Sequence, residues 1–212
     1  MPSRNEQDYL RIIYELLIKS NIGVRISDIA TALNISKPSV TEMMHKLEKN
    51  KLVERKAYNS ITLTEKGIAE ARKVLRRHRI LEVFFANVLG LGKTFHREAH
   101  AIEHSLSDEA EVKLDSLLKH PKLCPDGDEI PPKNSKVLSL GNAPQRKTLK
   151  ILFSKLEKKT ELDRIRALGI IPNETVEILK HISGGPLILK VKGTEIALGK
   201  DISSRIYVEV NL

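Results

Sequence analysis

Residues 1–63 place their apolar side chains in an order that few folds share. From Glu6 to Ile18, the residues Leu10, Ile13, Tyr14, Leu17 and Ile18 fall at helical spacing. Ser27 is a good N-cap for a second helix carrying Ile29, Ala30 and Leu33, which Asn34 breaks. Ser36 caps a third helix, with Pro38 near its first turn, where a missing N–H costs little. That helix is expected to bury Val40, Met43, Met44 and Leu47. Leu52 to Lys56 and Ser60 to Leu63 read as two short strands around a polar turn at Ala57-Tyr58-Asn59. Helix, helix, turn, helix and hairpin is the winged helix-turn-helix order, whose third helix enters the major groove of DNA. A small helical domain with a hairpin and no DNA role is the other reading of this pattern.

Charge favours the first reading. The chain carries a net charge of +9 with a pI of about 9.6. Residues 1–80 hold +7 of it, residues 81–136 hold −3 and residues 137–212 hold +5. A basic head suits a phosphate-bearing partner, with a solvated basic surface as the plainer alternative. Aromatic residues are only 4% and Trp is absent, which disfavours base stacking as the binding mode. A single cysteine, Cys124, excludes a disulfide framework and a CxxC zinc site. No apolar run approaches the roughly 20 residues of a spanning helix, and the N-terminus lacks an apolar signal core. The expectation is a cytoplasmic protein without membrane contact.

The rest of the chain divides by pattern. Thr64 and Gly67 open a helical stretch to about Leu89 with more apolar surface than one side of a small domain needs. A dimer interface or an intrachain core would use it. A further helix covers roughly Thr94 to Leu106, and Ser107 caps another with Asp108, Glu109 and Glu111 near its positive end. Pro121, Pro125, Pro131 and Pro132 mark residues 121–136 as a linker. A helix over about Leu149 to Leu168 is predicted next. Strand-like runs at Val176–Leu179, Leu187–Val191, Ile196–Leu198 and Ile206–Val210 then alternate with glycine turns, indicating a small β-barrel. The expected fold is multidomain and mainly α in its first two thirds. Residues 1–73 form a winged helix-turn-helix, 74–136 a helical domain and 137–212 a small β-barrel.

His96, His100, Glu103 and His104 sit at i, i+4, i+7 and i+8, on one helix face, with Ala99, Ile102 and Leu106 opposite. His78 and Glu82 make a second i, i+4 pair. Imidazole and carboxylate donors without thiolate suit Mn²⁺, Fe²⁺, Zn²⁺, Co²⁺ or Ni²⁺. A polar, solvent-facing stripe would read the same way. HExxH, GxSxG, P-loop and GxGxxG patterns are all absent, so no enzyme is indicated.

Ordered segments then carry a resemblance. They are Asp8–Leu16 (DYLRIIYEL), Ile26–Ala30 (ISDIA), Ser36–Thr41 (SKPSVT), Leu63–Gly67 (LTEKG), Arg77–Glu82 (RHRILE), His96–His104 (HREAHAIEH) and Cys124–Gly127 (CPDG). With them the chain resembles the diphtheria toxin repressor family of metal-dependent transcriptional regulators over essentially its whole length. Leu168–Pro172 (LGIIP) and Gly185–Leu187 (GPL) resemble the SH3-like domain shared with FeoA-type iron-transport proteins.

The resemblance implies a homodimer that binds a palindromic operator in double-stranded DNA when loaded with metal, as a repressor of metal homeostasis genes. It implies an ancillary metal site at His78, Glu82 and His96, and a primary site at Asp8, His100, Glu103 and His104. Glu161 lies nearest to a further ligand position, by a loose match. It places Ser36, Lys37, Pro38, Ser39, Thr41, Arg55, Lys56 and Tyr58 against DNA. Iron-type members often carry Met and Cys where this chain has Asp8 and His100. Manganese-type members share the Asp but often carry Glu at Arg11, and many lack the C-terminal domain. This intermediate donor set leads to Fe²⁺, with Mn²⁺ the alternative. A winged-helix regulator answering a non-metal signal, a metalloenzyme and a barrel interaction module are the rival readings.

Overall fold

The structure is a computed structural model that describes residues 2–20, 23–55 and 60–211. These divide into two compact units, residues 1–11 with 69–134, and residues 12–68 with 135–212. Helices α1 (Arg4–Ser20) and α4 (Glu65–Val83) each run from one unit into the other.

The winged helix-turn-helix lies in the second unit. Strand β1 (Val24–Arg25) leads into α2 (Ile26–Leu33). The Arg25 N–H donates to Asp28, three residues on, so the cap lies two residues before the expected Ser27. Asn34 ends α2 in the left-handed conformation, at φ 54°. Ser36 caps α3 (Lys37–Lys49) by accepting from the Ser39 N–H. Val40, Met44 and Leu47 are buried, while Met43 is only half-buried. Strands β2 (Val53–Arg55) and β3 (Ser60–Leu63) form the wing, and β1 adds to β3. Lys56 and Tyr58, expected at the wing tip, lie outside the described residues.

The C-terminal sheet corrects two expectations. Its strands are β4 (Ser135–Ser139), β5 (Thr148–Ser154), β6 (Thr175–His181), β7 (Leu187–Val191), β8 (Thr194–Leu198) and β9 (Ile206–Asn211). They run in the order β4-β9-β5-β6-β7-β8, every neighbour antiparallel. A barrel requires the two edge strands to pair. Here β4 and β8 stay at opposite edges, so the sheet is open and the predicted barrel is wrong. Strand patterns define the strands but not whether their ends meet. Helix α7 (Lys159–Ala167) supplies Leu162 and Ile165 to the core beside Leu149, Ile151, Ile178, Leu189 and Val208. A short helix, α8 (Lys200–Ser203), precedes β9.

The helix predicted over 149–168 is β5 in its first part and α7 only from Lys159. A register shift between Ile151 and Phe153 buries Ile151, Leu152, Phe153 and Ser154 in succession. The bulge erases the alternation by which a strand is recognised.

This sheet packs directly on the winged helix. Phe153 meets Tyr14 of α1 edge-on at 6.1 Å and stacks on Tyr207 at 5.0 Å. The Lys155 ammonium donates to the Leu63 carbonyl at 2.6 Å and lies 4.2 Å from the Tyr207 ring centre. Burial, with Glu54 and Glu65 nearby, pushes the Tyr207 phenol up to about 12, so the ring stays neutral beside that cation.

In the first unit, α4 continues as a π-helical turn over Phe84–Val88 before α5 (Phe95–Ile102) and α6 (Asp108–Leu117). Most apolar residues of α4 are consumed inside the chain: Ile80 and Val83 pack with Ile130, and Leu81 with Phe85 and Ala99. Buried Glu111 holds α6 to α4 by accepting from Arg76 at 3.0 Å and Arg77 at 3.2 Å. Among the described residues, no helix is long and apolar enough to cross a membrane.

Candidate metal centre

Helix α5 ends at Ile102 with Glu103 still in the helical conformation at its C-cap, so Glu103 and His104 fall just past the helix and remain beside His100. His96, His100, Glu103 and His104 divide between two clusters. In one, His100, Glu103 and His104 meet Asp8 of α1, with one donor atom from each within 4.8 Å of the others. Glu103 Oε1 lies 3.0 Å from His100 Nδ1 and 3.3 Å from His104 Nε2, and Asp8 Oδ1 lies 2.9 Å from His104 Nε2. Gln7, beside Asp8, accepts from His104 Nδ1 at 2.7 Å. That bond leaves Nε2 as the nitrogen facing the carboxylates.

The other cluster joins His78 and Glu82 of α4 to His96 at the start of α5. Glu82 Oε1 lies 2.7 Å from His96 Nδ1 and 3.1 Å from His78 Nε2. The far nitrogen of His78, Nδ1, hydrogen-bonds Glu103 Oε2, so one imidazole links the two clusters.

Burial acts to raise both carboxyls. Burial is the largest single influence at each, but the His78 hydrogen bond and charge, together with His96 at Glu82 and with Arg11 and His100 at Glu103, jointly outweigh it. Glu82 is brought down to about 2, and Glu103 falls below the ordinary carboxylate range. His78 responds in kind. Burial alone would lower it, but Glu103 and Glu82 lift it above the usual imidazole value. Two buried carboxylates are therefore held ionised, each beside imidazole nitrogens. Four and three nitrogen and oxygen donors, with no sulfur, fit a borderline divalent cation. Asp8, His100, Glu103 and His104 would hold one ion; His78, Glu82 and His96 would hold another.

Ser36, Lys37, Pro38 and Ser39 stand exposed at the start of α3. The Thr41 hydroxyl is half-buried and donates back to the Lys37 carbonyl at 2.9 Å. Arg55 reaches α3 rather than open solvent, donating to the Thr41 carbonyl and pairing with Glu48 at 3.3 Å.

Comparison with known proteins agrees along the chain. Residues 1–61 match the iron dependent repressor N-terminal DNA binding domain, residues 64–132 the iron dependent repressor metal binding and dimerisation domain, and residues 138–210 the FeoA domain. An HTH-type transcriptional regulator of Methanocaldococcus jannaschii is 42% identical over 113 residues, covering 53% of this chain and 90% of that one. The chain belongs to the iron-dependent repressor family of metal-dependent transcriptional regulators. The iron-dependent repressor IdeR of Mycobacterium leprae is 27% identical over 95% of both chains. The solved manganese regulator SloR is also 27% identical, covers 96% of this chain and 97% of its own, and superposes with a TM-score of 0.57. An iron-dependent repressor and a manganese regulator are thus both among its whole-length relatives.

As a member of this family the protein is a DNA-binding regulator of metal homeostasis genes and not an enzyme. Glu161, in the first turn of α7, is occupied within its own unit, 3.5 Å from Arg205 and 3.8 Å from Lys158. Two residues at the centre escaped sequence reasoning. Gln7 is a neutral amide with no periodic signature. Arg11 was weighed only as a departure from manganese-type members, although it lies one helical turn after Asp8 and so shares its face. Its Nε is 3.6 Å from Glu103 Oε1.

Proposed function

We propose that the protein acts in the cytoplasm as a homodimer that grips a palindromic operator when Fe²⁺, or alternatively Mn²⁺, is bound at Asp8, His100, Glu103 and His104. One observation carries this reading: Asp8, on the helix that continues into the winged helix, meets three donors from the turn that ends α5. Fe²⁺ leads because the donors are oxygen and nitrogen only, and because Fe²⁺ stands above Mn²⁺ in the affinity order of such sites. In this reading residues 1–73 meet DNA, 74–136 dimerise and hold metal, and 137–212 form the FeoA-like part.

A divalent ion supplies two positive charges and directed bonds that draw its ligands together. Asp8 then fixes the first turns of α1, whose later residues Ile13, Tyr14 and Leu17 are buried in the winged-helix unit. His78 and Glu103 connect the two sites through their shared hydrogen bond. Pairing of the protomers would hold two recognition helices about 34 Å apart, the span of one DNA turn. Val88, Leu89, Ile102, Val112 and Leu117, all exposed, give the first unit apolar surface for that pairing. Ser36, Lys37, Pro38, Ser39 and Thr41 would meet phosphates and base edges, with Lys56 and Tyr58 of the wing on phosphate. Arg55 would contribute mainly by bracing the wing against α3.

Gel retardation on the DNA upstream of the protein's own gene tests this reading, with chelator, with Mn²⁺ and with anaerobic Fe²⁺. Retardation only with metal is expected. Equal retardation in chelator would leave a winged-helix regulator that answers another signal.

A further inference from the structure

Arg11, beside the Asp8 cluster, carries a charge that works against a bound cation. Its side chain is 7% exposed and that of Glu103 is fully buried. Arg11 Nε lies 3.6 Å from Glu103 Oε1, the same oxygen that faces His100 Nδ1 and His104 Nε2. A guanidinium cannot give up its charge under any ordinary condition. A permanent positive charge is therefore built into the wall of the cluster.

That charge has two effects with the same sign. Without an ion, it compensates a buried carboxylate that would otherwise be costly. With an ion held by Glu103 Oε1, it repels that ion across a few ångströms of poorly screening protein. Stabilising the empty cluster and destabilising the filled one both weaken binding.

We propose that Arg11 is a resident counter-cation that sets the metal concentration at which the Asp8 cluster fills. This rests on the reading of that cluster as an ion site. The penalty falls on every divalent ion alike. Mn²⁺, at the weak end of the affinity order, is consequently the first to drop out of occupancy.

The test is Mn²⁺ titration followed by electron paramagnetic resonance of the free ion, which reads binding directly and needs no DNA. It is done on the full chain carrying His96→Ala to weaken the second cluster. In that background Arg11→Gln should bind Mn²⁺ about tenfold more tightly than the Arg11 protein, as removal of a neighbouring positive charge requires. Arg11→Lys, which keeps the charge, should stay within about threefold of it. Arg11→Met preserves the buried stem and should tighten binding like Arg11→Gln, so it serves if the amide variant does not fold. Unchanged or weaker binding in the neutral variants, beside clear binding by the Arg11 protein, would overturn the proposal and leave the ion site standing. If the Arg11 protein binds no Mn²⁺ and Asp8→Ala changes nothing, the ion site itself fails and takes the proposal with it.

Discussion

Gln7 decides which nitrogen of His104 is presented to the cluster. Its amide oxygen accepts from Nδ1, and Nε2 is left toward Asp8 and Glu103. Losing such an orienting partner typically costs ten- to a hundredfold in metal affinity. Gln7→Ala should therefore weaken Mn²⁺ binding at the Asp8 cluster by about that factor in calorimetric titration, with the melting temperature of the metal-free protein little changed. Unaltered affinity would mean that the ring is oriented by something else. Six of the seven metal-ligand candidates were legible because His and Glu spacing along 78–82 and 96–104 marked the region. The resemblance supplied Asp8, which no local pattern ties to residues about a hundred positions away. Gln7 was not legible, since an amide one residue from a ligand points to nothing until the fold brings His104 to it.

Elements were legible where their ends carry chemistry. Ser36 and Ser107 cap α3 and α6 as their sequences predict, each accepting from the backbone three residues on. Thr64 does the same for α4, accepting from the Gly67 N–H at 3.0 Å. The glycine is required for space. A Cβ at Gly67 would lie 2.0 Å from the Leu52 carbonyl oxygen, so the first turn of α4 could not stay against the wing. Gly67→Ala should lower stability by about 1–3 kcal/mol, the usual cost of overpacking, as a reduced urea midpoint. An unchanged midpoint would show that this junction yields easily. Elements were illegible where tertiary contacts override pattern. Strand β5 buries consecutive residues across its bulge and so lacks a strand's alternation. The open edges of the C-terminal sheet depend on which strands find each other, and the alternation within a strand carries no record of that.

At the scale of the whole molecule, segments far apart in the chain group together. The winged helix and the C-terminal sheet belong to one compact unit, joined by the Tyr14–Phe153 and Lys155–Leu63 contacts. The start of α1 belongs instead with the donors of the metal centre. Composition signalled neither grouping, because buried contacts of these kinds leave the local charge and polarity of each segment unchanged. In the proposed mechanism, a constraint placed on Asp8 would be carried along α1, which is one continuous helix. Linkage requires that DNA tighten metal binding by the factor with which metal tightens DNA binding.

The most direct measurement is the fluorescence anisotropy of a labelled duplex from the upstream region, titrated with wild-type protein and with Asp8→Ala, in chelator and in metal. For the wild type, metal should raise affinity about 5- to 150-fold, the usual range of such coupling. For Asp8→Ala the chelator and metal curves should coincide, while the weak, salt-sensitive binding of the basic head remains. A full metal response in Asp8→Ala would contradict the account.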